Sequence, residues 1–112
     1  MNRRFRLTRS DDIMRVRRLG KAYAHPLVML IASPSEGPHI QAAVITTRSL
    51  GGAVERNRAK RRLKAAVQPL LPRLAQGWDI LLLARRPVLA ASFPEIQAAL
   101  ETLVERAKLV RD

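Results

Sequence analysis

The sequence predicts an α/β sandwich in which helices pack on a small mixed sheet. Two apolar runs, at residues 27–32 and 78–84, are typical of buried strands, because they are too short for helices and follow a proline or a glycine. A basic segment with helical periodicity lies between them, so strand, helix and strand alternate along the chain. The 112 residues suffice for one hydrophobic core, and we expect a single domain over residues 1–112.

The first predicted element is a helix over residues 10–19. Thr8 or Ser10 is expected to cap its N-terminus, and Gly20 is expected to end it. Ile13 and Val16 have the spacing of residues that face a core.

Strands are predicted to follow this helix. A short strand carrying Tyr23 precedes the buried strand at residues 27–32. A loop rich in proline and glycine separates that strand from the next, at residues 40–47, and we expect the two to pair as a hairpin. The strand at residues 78–84 is almost entirely apolar, which predicts a central position with both faces covered.

Two further helices are predicted. The first spans residues 54–68 and ends near two prolines. The second begins at a capping box formed by Ser92 and Glu95. Apolar residues then recur at helical spacing and predict a core-facing stripe: Ile96, Ala99, Leu100, Leu103, Ala107 and Val110.

Positive charge dominates the composition. The chain has 21 Lys and Arg against nine Asp and Glu, a net charge of +12. Residues 1–24 carry eight basic and two acidic groups and residues 48–64 carry seven and one, so each segment has a net charge of +6 and the rest nearly cancels. Such concentration of charge predicts a polyanionic partner, and the excess of Arg over Lys suits phosphate oxygens and base edges.

The composition also excludes several classes of protein. There is no cysteine, which excludes disulfide-linked partners, thiol catalysis and thiolate zinc sites. No apolar run approaches the roughly 20 residues that cross a bilayer, and the basic N-terminus does not continue into a signal peptide. We therefore expect a cytoplasmic protein that does not associate with membranes.

The basic helix is the strongest candidate for function. On a helical wheel its apolar residues form one arc that is expected to face the sheet, while cations and an asparagine fill the rest. Glu55 is the one acidic residue in the segment, so neighbouring side chains do not neutralise this surface. The phosphates of RNA or DNA would neutralise it. Asn57 can in addition donate a hydrogen bond to, and accept one from, a base edge or a 2′-hydroxyl.

The segment from Ala53 to Leu63, AVERNRAKRRL, preceded by Arg48 and Gly51, closely resembles the signature of the protein subunit of bacterial ribonuclease P. The resemblance extends over the whole chain, including the Trp78-Asp79 strand opening and the segment Ala84-Arg85-Arg86. It implies the order α-β-β-β-α-β-α, a ribosomal protein S5 domain 2-like fold, and a left-handed β-α-β crossover against the usual right-handed rule.

The resemblance implies a ribonucleoprotein endonuclease that removes the 5′ leader of precursor tRNA. The RNA subunit would perform the hydrolysis with Mg²⁺ bound mainly through that RNA, and the protein would assist. The residues implied to contact the RNA subunit are Arg48, Arg56, Asn57, Arg58, Lys60, Arg61, Arg62 and Lys64.

A cleft between the first helix and the sheet is implied to receive the single-stranded leader. Its positions here are Ile13, Arg17 and Ile31, with Arg9, Arg15, Arg18 and Tyr23 as neighbours. The family often has aromatic residues at these positions, so we expect this chain to hold the leader more through phosphate pairing and Arg planes than through base stacking.

No catalytic constellation of protein side chains is expected. Most acidic residues are at helix ends or on helix surfaces, and Ser92 is explained as a cap. His25 and His39 adjoin prolines and are interpreted as loop or strand-entry residues. A ribosomal protein or RNA chaperone acting as a pure binding module remains the alternative. A DNA-binding helix-turn-helix is disfavoured, because the basic helix lies between two strands.

Overall fold

The computed structural model describes residues 3–110 of the chain. The helices are α1 (Ser10–Leu19), α2 (Ala53–Val67) and α3 (Phe93–Arg106), and the strands are β1 (Lys21–Ala24), β2 (Val28–Pro34), β3 (Ile40–Ile45) and β4 (Trp78–Ala84). Short 3₁₀ turns lie at Arg3–Phe5, Arg48–Leu50, Leu71–Arg73 and Arg86–Ala90. The predicted order α-β-β-β-α-β-α is confirmed, and the bounds of α1 and β4 agree with the prediction.

The order of strands in the sheet is β1-β2-β4-β3. β4 is antiparallel to β2 and parallel to β3, so it lies between the two strands that were expected to form a hairpin. The hairpin prediction is therefore wrong. β4 lies between β2 and β3 because it is apolar: a strand that is buried on both faces is most stable with a neighbouring strand on each side. β3, α2 and β4 form the predicted crossover, whose hand stays a prediction.

Helices cover the two faces of the sheet unequally. α2 and α3 pack together on one face, over the main core that contains Leu30, Ile80 and Leu82. α1 packs alone on the other face, against β2 and β4, over a small cluster that includes Val16 and Leu81. The second face is therefore only partly covered, and it is the face on which a cleft was expected.

The ends of α1 differ from their prediction. Arg9 is at the N-cap position and no side chain caps the helix, so the cap assigned to Thr8 or Ser10 is wrong. Gly20 ends the helix as predicted, but with extended backbone instead of a left-handed turn. Its role is spatial, because a Cβ atom there would lie 2.5 Å from the Val16 carbonyl oxygen and 2.6 Å from Cγ2 of Ile31.

The capping box of α3 is confirmed. The Ser92 backbone N–H donates to Oε1 of Glu95 over 2.8 Å, and the Glu95 backbone N–H donates to Oγ of Ser92 over 3.2 Å. The apolar stripe is buried up to Val104, but the helix stops at Arg106. Lys108 adopts φ 58°, which redirects the chain, so Val110 is exposed and lies outside the helix, contrary to the prediction.

We expect Leu103→Ala to lower the free energy of unfolding by about 2 to 5 kcal/mol, because Leu103 is completely buried and the shorter side chain leaves a cavity. Urea unfolding measures the change. Thr102→Ala, at the exposed neighbouring position, serves as the control and should stay within about 0.5 kcal/mol of the parent. A Leu103→Ala value as small as that of the control would remove this residue from the core.

We expect part of the stability to be lost in acid through Glu95. Hydrogen bonds from the backbone and hydroxyl of Ser92 lower the pKa of this carboxyl below its ordinary 4.5. A carboxylate whose pKa is lower in the folded than in the unfolded chain stabilises at neutral pH, and this contribution disappears as the pH falls through the lowered pKa. The difference in urea midpoint between the parent and Glu95→Gln should therefore shrink between about pH 7 and pH 3. A difference that is constant over this range would contradict the assignment.

Candidate nucleic-acid interface

The outer surface of α2 carries most of the cations predicted to contact RNA. Ala59, Leu63, Ala66 and Val67 are buried and hold the helix on the core, as the helical wheel predicted. Asn57, Arg58 and Arg61 are exposed, and Arg56, Lys60 and Lys64 are half-buried. Within residues 3–110, none of the cations of segment 48–64 forms an ion pair, so the positive charge of this surface is not neutralised by the protein.

Arg62 differs from the other cations of α2. Its Nη2 donates to the backbone carbonyl of Ala91 over 2.6 Å, which ties α2 to the segment that precedes α3. The side chain is half-buried there. Arg62 therefore has a structural role. This role accounts for an arginine at position 62 without the predicted contact with RNA.

The N-terminal end of α2 lies at one end of the sheet. Because β3 and β4 are parallel, Arg48 after β3 and the pair Arg85 and Arg86 after β4 leave the sheet at the same end. Both arginines of the pair are exposed, and the turn Arg86–Ala90 packs against α2. This pair therefore extends the basic surface. Sequence analysis did not include Arg85 and Arg86 among the site residues, although two arginines directly after a central strand indicate a basic surface at that end of the sheet.

The face of the sheet under α1 is organised in three rows of directly opposed residues. The open row consists of Ala24, Met29, Leu83 and Ile45. The middle row consists of Ala22, Ile31, Leu81 and Ala43. The polar row consists of Ser33, Asp79 and Gln41. Val16 of α1 packs on the middle row, whereas no residue of the open row is fully buried. The open row is thus an aliphatic strip beside α1.

The structure separates the residues predicted to form the cleft. Arg15 and Arg17 are about 200° apart on the helical wheel, so they lie on opposite flanks of α1. Arg15 reaches the polar row, which leaves Arg17 on the flank toward the open row. Arg9 is the exposed N-cap residue, and Arg18 is exposed on the surface of α1.

The structure places two residues of the predicted cleft away from its open surface. Ile31 is 6% exposed and lies under α1 in the middle row, so it supports the helix but does not line the cleft. Tyr23 pairs with Leu30, and directly opposed residues share a face, so it packs against the main core on the other side of the sheet. Met29 and Leu83 of the open row are partly buried on the same face of the sheet as α1.

A groove connects α1 with α2. It has a volume of about 310 Å³ and is lined by Ile13 of α1, Ile45 of β3 and the two lysines of α2, Lys60 and Lys64. Arg6 also lines it, next to the β3 edge. The open row and the basic surface of α2 are therefore adjacent, so an extended polyanion can contact both at once.

Arg15 and Asp79 form an ion pair across the interface between α1 and β4. Nη2 of Arg15 lies 2.5 Å from Oδ2 of Asp79, and Nη1 of Arg15 lies 3.3 Å from Oγ of Ser33. Asp12 is a more distant partner of the same guanidinium, at 3.7 Å. Asp79 is 2% exposed, and its Oδ1 atom has no hydrogen-bond partner within the described residues.

Among residues 3–110 there is no group of three or more His, Cys, Asp or Glu side chains that could hold a metal ion. Nδ1 of His25 accepts a hydrogen bond from the backbone N–H of Leu27 over 3.1 Å, and His39 is an exposed loop residue. In the same residues no helix has the length and apolar character needed to cross a bilayer. Within the described residues the carboxylates therefore do not gather into one metal centre.

A family model described as Ribonuclease P matches residues 1–108. The ribonuclease P protein component of Roseiflexus castenholzii is 40% identical over 112 residues, which cover 99% of this chain and 92% of the relative. That of Symbiobacterium thermophilum is 37% identical over 99% of this chain and 97% of the relative.

Solved structures share the fold. The RNase P protein of Staphylococcus aureus superposes with a TM-score of 0.84 at 24% identity, covering 96% of this chain and 98% of that one. The RNase P protein of Thermotoga maritima gives 0.80 at 19% identity, covering 90% and 96%.

We expect Arg62→Ala to lower the free energy of unfolding by about 1.5 to 3 kcal/mol, because it removes a charged donor from the Ala91 carbonyl. Arg61→Ala is the matched control: it removes the same charge from the next, exposed position and should change stability by no more than about 0.5 kcal/mol. Urea unfolding compares the two variants. Equal effects would show that the hydrogen bond does not stabilise the fold.

Proposed function

The chain belongs to the Ribonuclease P family, and from this premise we propose that it is the RNA-binding protein subunit of an endoribonuclease that removes the 5′ leader from precursor tRNA. The observation that carries the proposal is the basic surface of α2, whose cations form no ion pair within residues 3–110, beside the aliphatic open row. Folded RNA presents closely spaced phosphates to the first surface, and a single strand fits along the second.

In the proposed division of labour, α2 binds the RNA subunit and the groove beside α1 binds the leader. The exposed Arg58 and Arg61 offer planar donors to phosphate oxygens, and Asn57 offers a neutral donor and acceptor. Lys60 and Lys64 line the groove and Arg17 is exposed on α1, and we assign to these three cations the phosphates of the leader. The protein acts by positioning, which increases the fraction of substrate held in reactive geometry.

Hydrolysis is assigned to the RNA subunit, with Mg²⁺ as Lewis acid. The donor set of the protein does not fit a magnesium site, since its carboxylates do not converge within residues 3–110. Mg²⁺ is therefore expected to be bound mainly through RNA. The proposed role implies a cytoplasmic place of action.

The first experiment tests whether the protein acts with a ribonuclease P RNA. We expect the chain to allow a bacterial ribonuclease P RNA to cleave precursor tRNA at low Mg²⁺, and to increase affinity for precursor over mature tRNA. An RNA chaperone would instead accelerate annealing in general, without a gain that depends on the leader. That outcome would favour the alternative reading as a pure RNA-binding module.

We expect the triple variant Arg56→Ala, Arg58→Ala and Arg61→Ala to weaken binding to the RNA subunit and to flatten its salt dependence. Each lost phosphate contact should reduce the slope of log K against log salt by roughly 0.7 to 0.9. Filter binding over a salt series measures both quantities. Arg73→Ala removes an exposed arginine from outside this surface, paired only loosely with Glu101, and should leave the slope unchanged. A slope unchanged in the triple variant would contradict the proposed role of α2.

A further inference from the structure

α1 is held on its face of the sheet by few contacts. Val16 is its one fully buried residue, and it packs on the middle row. Gly20 lets the C-terminal end of the helix approach β2 closely. On the flank away from the open row, the helix borders a cavity of about 760 Å³ lined by Asp12, Arg15 and Asp79. Packing alone therefore leaves this flank of α1 room to move.

Arg15 is the side chain that spans this flank. It joins α1 to the central strand through Asp79 and to the end of β2 through the Ser33 hydroxyl and the Pro34 carbonyl, the last at 3.4 Å. β4 has neighbours on both sides, so Asp79 is a fixed point of the sheet. The ion pair therefore fixes the distance of α1 from the polar row.

We propose that Arg15 and Asp79 act as a positioning pair for the leader groove, and that Arg15 is not itself an RNA ligand. By setting the place of α1 over the sheet, the pair sets the width of the groove between Ile13 and the lysines of α2. The proposal rests on the proposed function, since the groove matters because a leader occupies it. Sequence analysis placed Arg15 among the residues expected to contact leader phosphates, and the proposal replaces that role with a positioning one.

Two observations favour positioning over direct contact. The Arg15 guanidinium faces the polar row, on the opposite flank of the helix from the open row. Its charge is also compensated by Asp79, which has no other hydrogen-bond partner within the described residues. A phosphate that drew Arg15 away would leave a buried carboxylate uncompensated, which strongly opposes the exchange.

The sign of the Asp79→Asn effect tests the proposal. A direct ligand would be released when its carboxylate partner is neutralised, so Asp79→Asn would strengthen binding of leader-bearing precursor tRNA. If the pair positions α1, the substitution weakens it and binding is reduced. We expect the affinity of the reconstituted holoenzyme for precursor tRNA to fall about tenfold, which is within the range of interaction free energies between contacting residues. Affinity for mature tRNA and for the RNA subunit should not change.

Arg15→Gln should reproduce this loss without flattening the salt dependence of precursor binding, and Arg15→Lys should restore part of the affinity because it keeps the charge. Arg17→Ala provides the contrast, since removal of a direct phosphate contact should reduce the salt slope by roughly one counterion. Glu101→Gln changes the same charge in an exposed, weakly paired position on α3 and should have no effect. If Asp79→Asn does not fold, the two Arg15 variants give the test alone.

Stronger binding by Asp79→Asn, or a flatter salt slope for Arg15→Gln, would overturn the proposal. So would a lower melting temperature in these variants with unchanged discrimination between precursor and mature tRNA, because the pair would then be structural only. Failure of the proposed function is distinguishable from all of these outcomes: the parent protein itself would show no preference for leader-bearing tRNA.

Discussion

The burial of β4 between β2 and β3 is the constraint on which the arrangement of the molecule depends. Its central residues, from Asp79 to Leu82, are buried and need a neighbour on each side. β3 therefore pairs parallel to β4, and the chain between them must cross over the sheet as α2. As a result the basic helix starts at the end of the sheet where the open row and Arg85 lie. One apolar strand thus brings together cations that are far apart in the sequence.

The two faces of the sheet have different mechanical roles. α2 and α3 cover the main core, and the Arg62 hydrogen bond ties α2, which carries the surface proposed to bind RNA, to the segment before α3. α1 is the one helix on the other face, where Val16 is its buried contact and Arg15 its polar contact with the sheet. The face covered by two helices therefore carries the surface proposed for the RNA subunit, while the face covered by α1 borders the groove proposed for the substrate.

Much of this organisation could be predicted from the sequence because its causes are local. Helical spacing identified α2, and Ser92 with Glu95 identified the start of α3. The order of strands could not be predicted, since pairing of β3 with β4 depends on contacts across the whole chain. For the same reason the position of Tyr23, on the side of the sheet opposite α1, could not be predicted. Charge counting also treated Arg15 like its neighbours, because a sequence does not reveal which carboxylate a guanidinium meets.

The aliphatic character of the open row has a consequence for the substrate range. Alanine, methionine, leucine and isoleucine side chains offer no strong donor or acceptor, so they cannot tell one nucleobase from another by its edge. A thioether and branched alkyl groups adapt to flat surfaces of different outline. A leader that lies on this row as proposed would therefore be bound without regard to the identity of its bases.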